Sequence, residues 1–410
     1  MLRITPTFLL ISISFLPQPG RGVQGSSSFD SFLAHYNKAK SNIDQQTLLD
    51  NFWSVTTNGG TPVIDTNGRD VVFLFRGDAD SVFLAGDMTQ WRSRIRMTRL
   101  KPGNLFYVRQ RYESDARLDY KFVLNQGEYV LDPLNKRTVT GGFGENSELR
   151  MPGYLATDDY ITRDSIPLGR VLPLLHPSTI LGYSHDILVY FPFGYFSDTT
   201  HYPVVYFQDG SDYLDLANAL VVLDNLIADG AIRPTIGVFI VPPRDSLANR
   251  ETEYGMNDDY VRYLCDELVP TIDSNYRTLA TSDNRLILGA SYGGLIALHA
   301  AFSRPEIISS AASQSGYVSF QNDSLIRCFS DSPTRPIALY LDVGTYEKKT
   351  IGAENDEGNL IEAHRRFAPL LETKHYKYVY RELHGGHSWG NWRNELPRIL
   401  QLFFRPLTSP

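Results

Sequence analysis

A serine framed by glycines, Gly289-Ala290-Ser291-Tyr292-Gly293-Gly294, sits between the apolar run Arg285-Leu286-Ile287-Leu288 and the Ala/Leu-rich run Leu295 to Ala301. The order reads as strand, tight turn, helix. In such a turn a serine stands exposed at the end of a sheet, in a strained elbow that only small neighbours permit. A helix that begins at the serine turns its first N–H groups and its positive end toward any oxyanion formed there. The chemistry on offer is nucleophilic acyl transfer. A bare G-x-S-x-G is short enough to arise by chance, so the rest of the constellation decides.

A serine nucleophile needs a base, and the base needs an orienting acid. The histidines beyond Ser291 are His299, His364, His375, His384 and His387. His299 lies well inside the elbow helix, and His364 and His375 belong to a later helix and its exit. His384-Gly385-Gly386-His387-Ser388-Trp389 follows the last strand, in a loop loosened by two glycines that returns to the edge holding Ser291. His387 is therefore the expected base, with His384 as the alternative. The acid belongs after the preceding strand, Ile337 to Val343, and Glu347 in Gly344-Thr345-Tyr346-Glu347 is the candidate. Asp342, Glu354, Asp356 or a dyad without an acid remain open. The oxyanion hole is expected from the N–H of Tyr292 and of Ser211, in the loop Gln208-Asp209-Gly210-Ser211 that follows the strand Val204 to Phe207. Asp209, Gly210, Arg250 and Trp389 are expected to border the substrate. An Arg250–Glu253 pair, and Trp389 packing the start of the last helix, are the structural alternatives. This mechanism calls for no cofactor. With two cysteines, Cys265 and Cys328, and no H-E-x-x-H or C-x-x-C spacing, no metal site is expected. Cys265 falls on a helical stripe, so a free core thiol competes with a disulfide.

The elements around these residues alternate. Strands are expected near Ile187–Phe191, Pro203–Phe207, Thr235–Val241, Arg285–Leu288, Ser309–Gln314, Ile337–Val343 and Lys377–Glu382. Helices are expected near Leu214–Ala228, Asp258–Asn275, Ser291–Ser303, Gly358–Lys374 and Gly390–Arg405. The strands are apolar throughout, which implies an α/β fold with a mostly parallel sheet covered on both faces. From Thr61 to about Met151 the pattern changes to short strands with turn signals every 8–12 residues, as in an antiparallel sandwich. The expected organisation is a signal peptide over 1–25, a short helical segment over 26–60, an immunoglobulin-like sandwich over 61–152, a linker over 153–169 and a catalytic domain over 170–407.

At 410 residues with 42% hydrophobic side chains, the chain has material for two cores. A net charge of −7 gives no footprint for nucleic acid. No long apolar run follows the N-terminus, so no membrane span is expected. The apolar stretch Phe8 to Leu16 after Arg3 resembles a secretory signal, placing the protein outside the cytoplasm, secreted or periplasmic.

Several segments, in order, resemble the esterase D and enterochelin-esterase-like branch of the α/β-hydrolases. They are Phe207-Gln208-Asp209-Gly210, Arg250-x-x-Glu253-Tyr254, Asp266 to Pro270, the Ser291 elbow, Ser313-Gln314-Ser315-Gly316, and Gly385-Gly386-His387-Ser388-Trp389-x-x-Trp392-Arg393. Phe75-Arg76-Gly77, Ala85-Gly86-Asp87-Met88-x-x-Trp91 and Asp119 to Val123 resemble early-set immunoglobulin modules related to glycogen-binding domains, in which a tryptophan and a lysine bind glycan. Trp91 and Lys121 occupy comparable positions. The resemblance implies a serine carboxylic-ester hydrolase acting on a small-molecule ester, either a siderophore or a plant-wall phenolic or acyl ester of the feruloyl or acetyl-xylan type. A glycan partner at the N-terminal module, an inactive carbohydrate-binding protein and an acyltransferase are the alternatives.

Overall fold

The computed structural model describes residues 26–125, 127–244, 248–349 and 358–406. The expected signal peptide and the alternative acids Glu354 and Asp356 lie outside the described residues.

Continuous apolar runs can be buried on both faces only inside a layered sheet, and that is where they lie. The larger sheet has eight strands. In spatial order they are Arg170–Pro177, Ser184–Phe191, Ile236–Val241, Val204–Phe207, Arg285–Ala290, Ser310–Gln314, Ala338–Gly344 and Lys377–Leu383. The last six run parallel, whereas Ser184–Phe191 is antiparallel to both its neighbours. The sheet is thus mixed at one edge. Helices Tyr292–Ser303, Phe320–Asp331 and Leu360–Thr373 pack on one face with the segment Asp258 to Asn275. Helices Ala219–Ala228 and Trp389–Phe403 cover the other.

Three differences from the expected elements have physical reasons. Arg170–Pro177 is a strand where only a boundary was expected. It is largely exposed and carries Pro173 and Pro177, which an edge strand tolerates. The segment from Asp258 to Asn275 is not one α-helix. It widens to a π-turn at Tyr263–Leu268, just before Pro270, whose missing N–H interrupts the ladder. Phe320–Asp331 is an additional helix that no sequence signal announced.

Residues 61–152 form two antiparallel sheets. The four-stranded sheet runs Val63–Ile64, Asp70–Arg76, Leu105–Arg111, Thr98–Leu100. The second sheet is centred on Val82–Gly86, Arg117–Leu124 and Gly144–Arg150. Phe73, Phe75, Val82, Leu84, Phe106, Tyr120 and Phe122 fill the space between them. The outer face of the first sheet is covered by Ser26–Lys38 and Asn42–Gly59, whose Phe29, Phe32, Tyr36 and Leu49 pack on Val72, Leu74 and Leu105. This explains why Asp70–Arg76 reads apolar rather than alternating. The connecting stretch is pinned to the α/β unit: Thr157 N–H donates to Asn394 at 2.9 Å and Gly169 N–H to Asp224 at 2.8 Å. Cys265 and Cys328 are both free.

Candidate active site

Ser291 stands between the strand Arg285–Ala290 and the helix Tyr292–Ser303, with φ 58° and ψ −119°. A non-glycine residue there costs about 1–3 kcal/mol and persists only when its surroundings impose it. They do so from both sides. Ser291 N–H donates to the Gln314 carbonyl at 2.9 Å, and Tyr317 N–H donates to the Ser291 carbonyl at 3.1 Å. Gly289 is required by packing, because a Cβ there would lie 2.3 Å from the Gly293 carbonyl. Tyr292 is the first helical residue, so its N–H belongs to the set that points off the helix N-terminus.

Glu347 and His387 meet across neighbouring loops at the same end of the sheet. Glu347 Oε2 accepts from His387 Nδ1 at 2.7 Å. Glu347 Oε1 accepts from Ser315 Oγ at 2.6 Å and from Gly344 N–H at 2.7 Å. Ser315 Oγ in turn accepts from Trp392 Nε1 at 2.9 Å, and the Trp392 ring stands edge-on to His387. Burial alone would raise the Glu347 carboxyl. The charge of His387 and these donors outweigh it and hold the group below its ordinary value. Since Nδ1 is engaged by the carboxylate, Nε2 is the nitrogen left for a substrate or nucleophile.

The other described candidates have their own partners. Asp342 is buried one layer back, where Oδ1 accepts Ser315 N–H at 3.1 Å. Burial, then the neighbouring Glu395 and Glu347, push its carboxyl well above the ordinary range. His384 turns away, toward Asp115 at 2.7 Å. His299 pairs with Asp258 at 2.8 Å. Among the described residues no cluster of His, Cys, Asp or Glu is arranged to hold a metal ion, and no helix is long and apolar enough to cross a membrane.

A family model named Esterase matches residues 178–403. The chain belongs to that family. As such it is a carboxylic-ester hydrolase. The esterase is 28% identical over 210 residues to an uncharacterised Bacillus subtilis (strain 168) protein, YjcH, a match covering 50% of this chain and 86% of that one. It is 33% identical over 164 residues to an endo-1,4-beta-xylanase/feruloyl esterase of Xylanibacter ruminicola, covering 37% of this chain but 22% of that longer protein. Ferric enterobactin esterase (Fes) from Salmonella typhimurium shares the fold with a TM-score of 0.72 at 18% identity. That likeness covers 86% of this chain and 98% of the other, so it extends well beyond the α/β unit into the sandwich.

Of the side chains expected to border substrate in this esterase, Asp209 and Arg250 line the cavity beside Ser211 as a bonded pair, and Trp389 is packed inside. Arg250 does not pair with Glu253. Its Nε and Nη2 meet the two oxygens of Asp209 at 2.6 and 2.8 Å, and Nη2 also reaches the Ala290 carbonyl at 3.1 Å. Burial would lower the guanidinium pKa, but Asp209 outweighs it and raises it. The Asp209 side chain is 3% exposed, and its N–H donates to Tyr254 Oη at 3.0 Å. Glu253 instead accepts from Tyr183 and contacts His185, each at 2.7 Å. Trp389 is buried edge-to-face between Tyr213 and Trp392, so it is core rather than pocket wall.

Gly210 is closely packed and Ser211 faces a cavity. A Cβ on Gly210 would lie 2.5 Å from the Phe239 backbone, so the loop passes as close as a glycine permits. Ser211 lines a cavity of about 460 Å³ together with Asp209, Pro242, Pro243, Arg244, Asn249 and Arg250. Ser315 is the residue that sequence reasoning passed over. It lay inside a quoted motif, but its bond to the acid depends on a fold-back at φ 47° that spacing does not announce.

Proposed function

We propose that this esterase cleaves carboxylic esters through an acyl-enzyme on Ser291. The reading rests on the Glu347–His387 pair, 2.7 Å apart, at the sheet end where Ser291 is held in its elbow. Ser291 Oγ attacks the ester carbonyl as His387 Nε2 takes its proton. The C–O bond to the leaving alcohol breaks as His387 returns that proton. Water then repeats the sequence and releases the acid. Glu347 fixes the tautomer and stabilises the imidazolium. Tyr292 N–H and the Ser211 N–H receive the oxyanion, and each such donor contributes about 3 kcal/mol to transition-state stabilisation. The mechanism balances without a cofactor.

For substrate, we infer an ester that carries an aromatic acyl group. The named relatives act on enterobactin or feruloyl esters, both aromatic. The cavity beside Ser211 offers the charged Arg244 and the flat Pro242 and Pro243. Because Arg250 is neutralised by Asp209, its presence no longer favours an acidic siderophore over a feruloyl ester. We read the sandwich as the immunoglobulin-like module and the protein as secreted or periplasmic. The indole N–H of Trp91 donates to buried Asp87 at 2.9 Å, which argues for packing over glycan binding at that residue.

A fluorophosphonate probe with intact-protein mass spectrometry tests the reading. One adduct is expected on the wild type and none on Ser291→Ala, which should also lose hydrolysis of p-nitrophenyl and feruloyl esters. Full hydrolysis by Ser291→Ala would overturn it.

A further inference from the structure

The loop that carries His387 is held from behind by the other module. Arg117, at the start of the strand Arg117–Leu124, is 1% exposed. Its Nη1 meets Asp119 at 2.6 Å and its Nε meets Glu148 at 2.7 Å. Its Nη1 also donates to Ser388 Oγ at 3.0 Å, and its backbone N–H donates to the His384 carbonyl at 2.9 Å. Arg117 therefore grips the chain on both sides of His387.

Two glycines show how close the grip is. A Cβ on Gly390 would lie 2.0 Å from Arg117 Nη2, and one on Gly386 would lie 2.3 Å from Asp87 Cγ. Asp87 is itself tied to this cluster by accepting Asp119 N–H at 2.8 Å. Inside the loop, Asn391 donates to the Gly386 carbonyl at 2.8 Å and to Ser388 Oγ at 3.2 Å. The residues just before Arg117 reach the acid loop as well. Glu113 accepts from Tyr346 Oη at 2.7 Å, next to Glu347, and Asp115 holds His384.

Burying a guanidinium among carboxylates is costly, and well-packed apolar residues would stabilise an interface at least as well. What a guanidinium adds is a rigid fork with fixed donor directions. Here Nε donates to Glu148 and Nη1 to Ser388, while Asp119 is held close as an ion pair.

We propose that Arg117 is a positioning residue for the reaction: from the N-terminal sandwich it sets the place of His387 relative to Ser291. The sandwich is then part of the catalytic apparatus rather than an appendage. This rests on His387 being the base. A base displaced by about 1 Å costs on the order of 10²-fold in rate.

The test compares full-length variants on a p-nitrophenyl ester, with folding followed by circular dichroism and thermal melting. Arg117→Met is expected to lower kcat about 10–100-fold with KM nearly unchanged, and to slow fluorophosphonate labelling of Ser291 in parallel. Arg117→Lys keeps the charge without the fork, so a partial recovery of kcat is expected. Ser388→Ala deletes the contacted hydroxyl alone and should lower kcat several-fold. It decides the matter if Arg117→Met does not fold. His387→Ala is the control for the premise, since its retaining activity would remove the base assignment itself. With His387→Ala inactive, wild-type kcat in folded Arg117→Met, or in Ser388→Ala where Arg117→Met is unfolded, overturns the proposal. A lowered melting temperature with unchanged kcat would show a structural role only.

Discussion

Two arginines, Arg117 buried and Arg250 half-buried, brace the end of the sheet that carries Ser291 from opposite sides. Arg250 spends its fork on one carboxylate, Asp209, and on the Ala290 carbonyl beside the nucleophile. Arg117 divides its fork between Asp119, Glu148 and Ser388 beside the base. The first belongs to the same α/β unit as the strand end it supports. The second reaches across from the sandwich. The difference teaches that Ser291 is indexed within one module, while His387 is indexed by two. The strained Ser291 elbow is closed by local hydrogen bonds. The His387 loop, with glycines at 385, 386 and 390, has less backbone preference of its own and borrows its shape.

The comparison breaks most visibly at Glu347, where support for the base becomes chemistry. Glu347→Gln should lower kcat by about 10³–10⁴-fold through the wrong histidine tautomer, with little change in KM. A loss below tenfold in steady-state kinetics would remove Glu347 from the role proposed for it. On the nucleophile side the expected loss is in stability. Arg250→Met leaves Asp209 buried without a partner, and about 3 kcal/mol should be lost in denaturant unfolding. Replacing Asp209 by Leu in the same chain should restore much of it. If the double variant is no more stable than the single one, the pair is not the brace described.

On the histidine side, two carboxyls respond to pH in opposite ways. Glu347 is held below its ordinary value by donors and His387, whereas Asp87 is pushed up to about 7, first by burial and then by Asp119. Between about pH 4 and 7 the unfolded chain has released the Asp87 proton and the folded chain has kept it. This group's contribution to stability therefore falls as pH rises through that window. Asp87→Asn should flatten the slope of unfolding free energy against pH, and an unchanged slope would refute the assignment. Glu347 acts in the opposite sense, favouring the fold above the ordinary glutamate range and losing that contribution as pH falls. The smallest effect is expected at Trp389. Trp389→Phe should cost about 1–2 kcal/mol of stability and leave KM for a feruloyl ester unchanged. A several-fold rise in KM would return Trp389 to the pocket wall.

The sequence made some of this legible and hid the rest for identifiable reasons. The placement of Ser291, Glu347 and His387 at one end of the sheet was readable because each follows a strand recognisable in the sequence, Arg285–Ala290, Ala338–Gly344 and Lys377–Leu383. The partner of Arg250 was not. Glu253 is near in sequence, whereas Asp209 lies 41 residues away and meets it only through the sheet order. Trp389 looked like a pocket wall because an aromatic residue beside a catalytic histidine has two possible sides, and only packing chooses between them. Arg170–Pro177 was missed because an exposed strand with two prolines lacks the apolar alternation that marks buried ones. Arg117 gave no signal at all. Its charge is compensated by Asp119 on its own strand and Glu148 on the next, and its target lies 271 residues further along the chain.

The glycine contacts at Gly386 and Gly390 carry a consequence for ancestry. A surface where a guanidinium and a carboxylate press on bare backbone tolerates no side chain from either party. Residues 385–391 and the strand that begins at Arg117 must then be inherited together. Exchanging the sandwich for that of another lineage, with the histidine loop left in place, would seat a foreign contour against a loop shaped for this one. The heritable unit of this esterase is the matched pair of surfaces, and the seam between its modules is where recombination is least free.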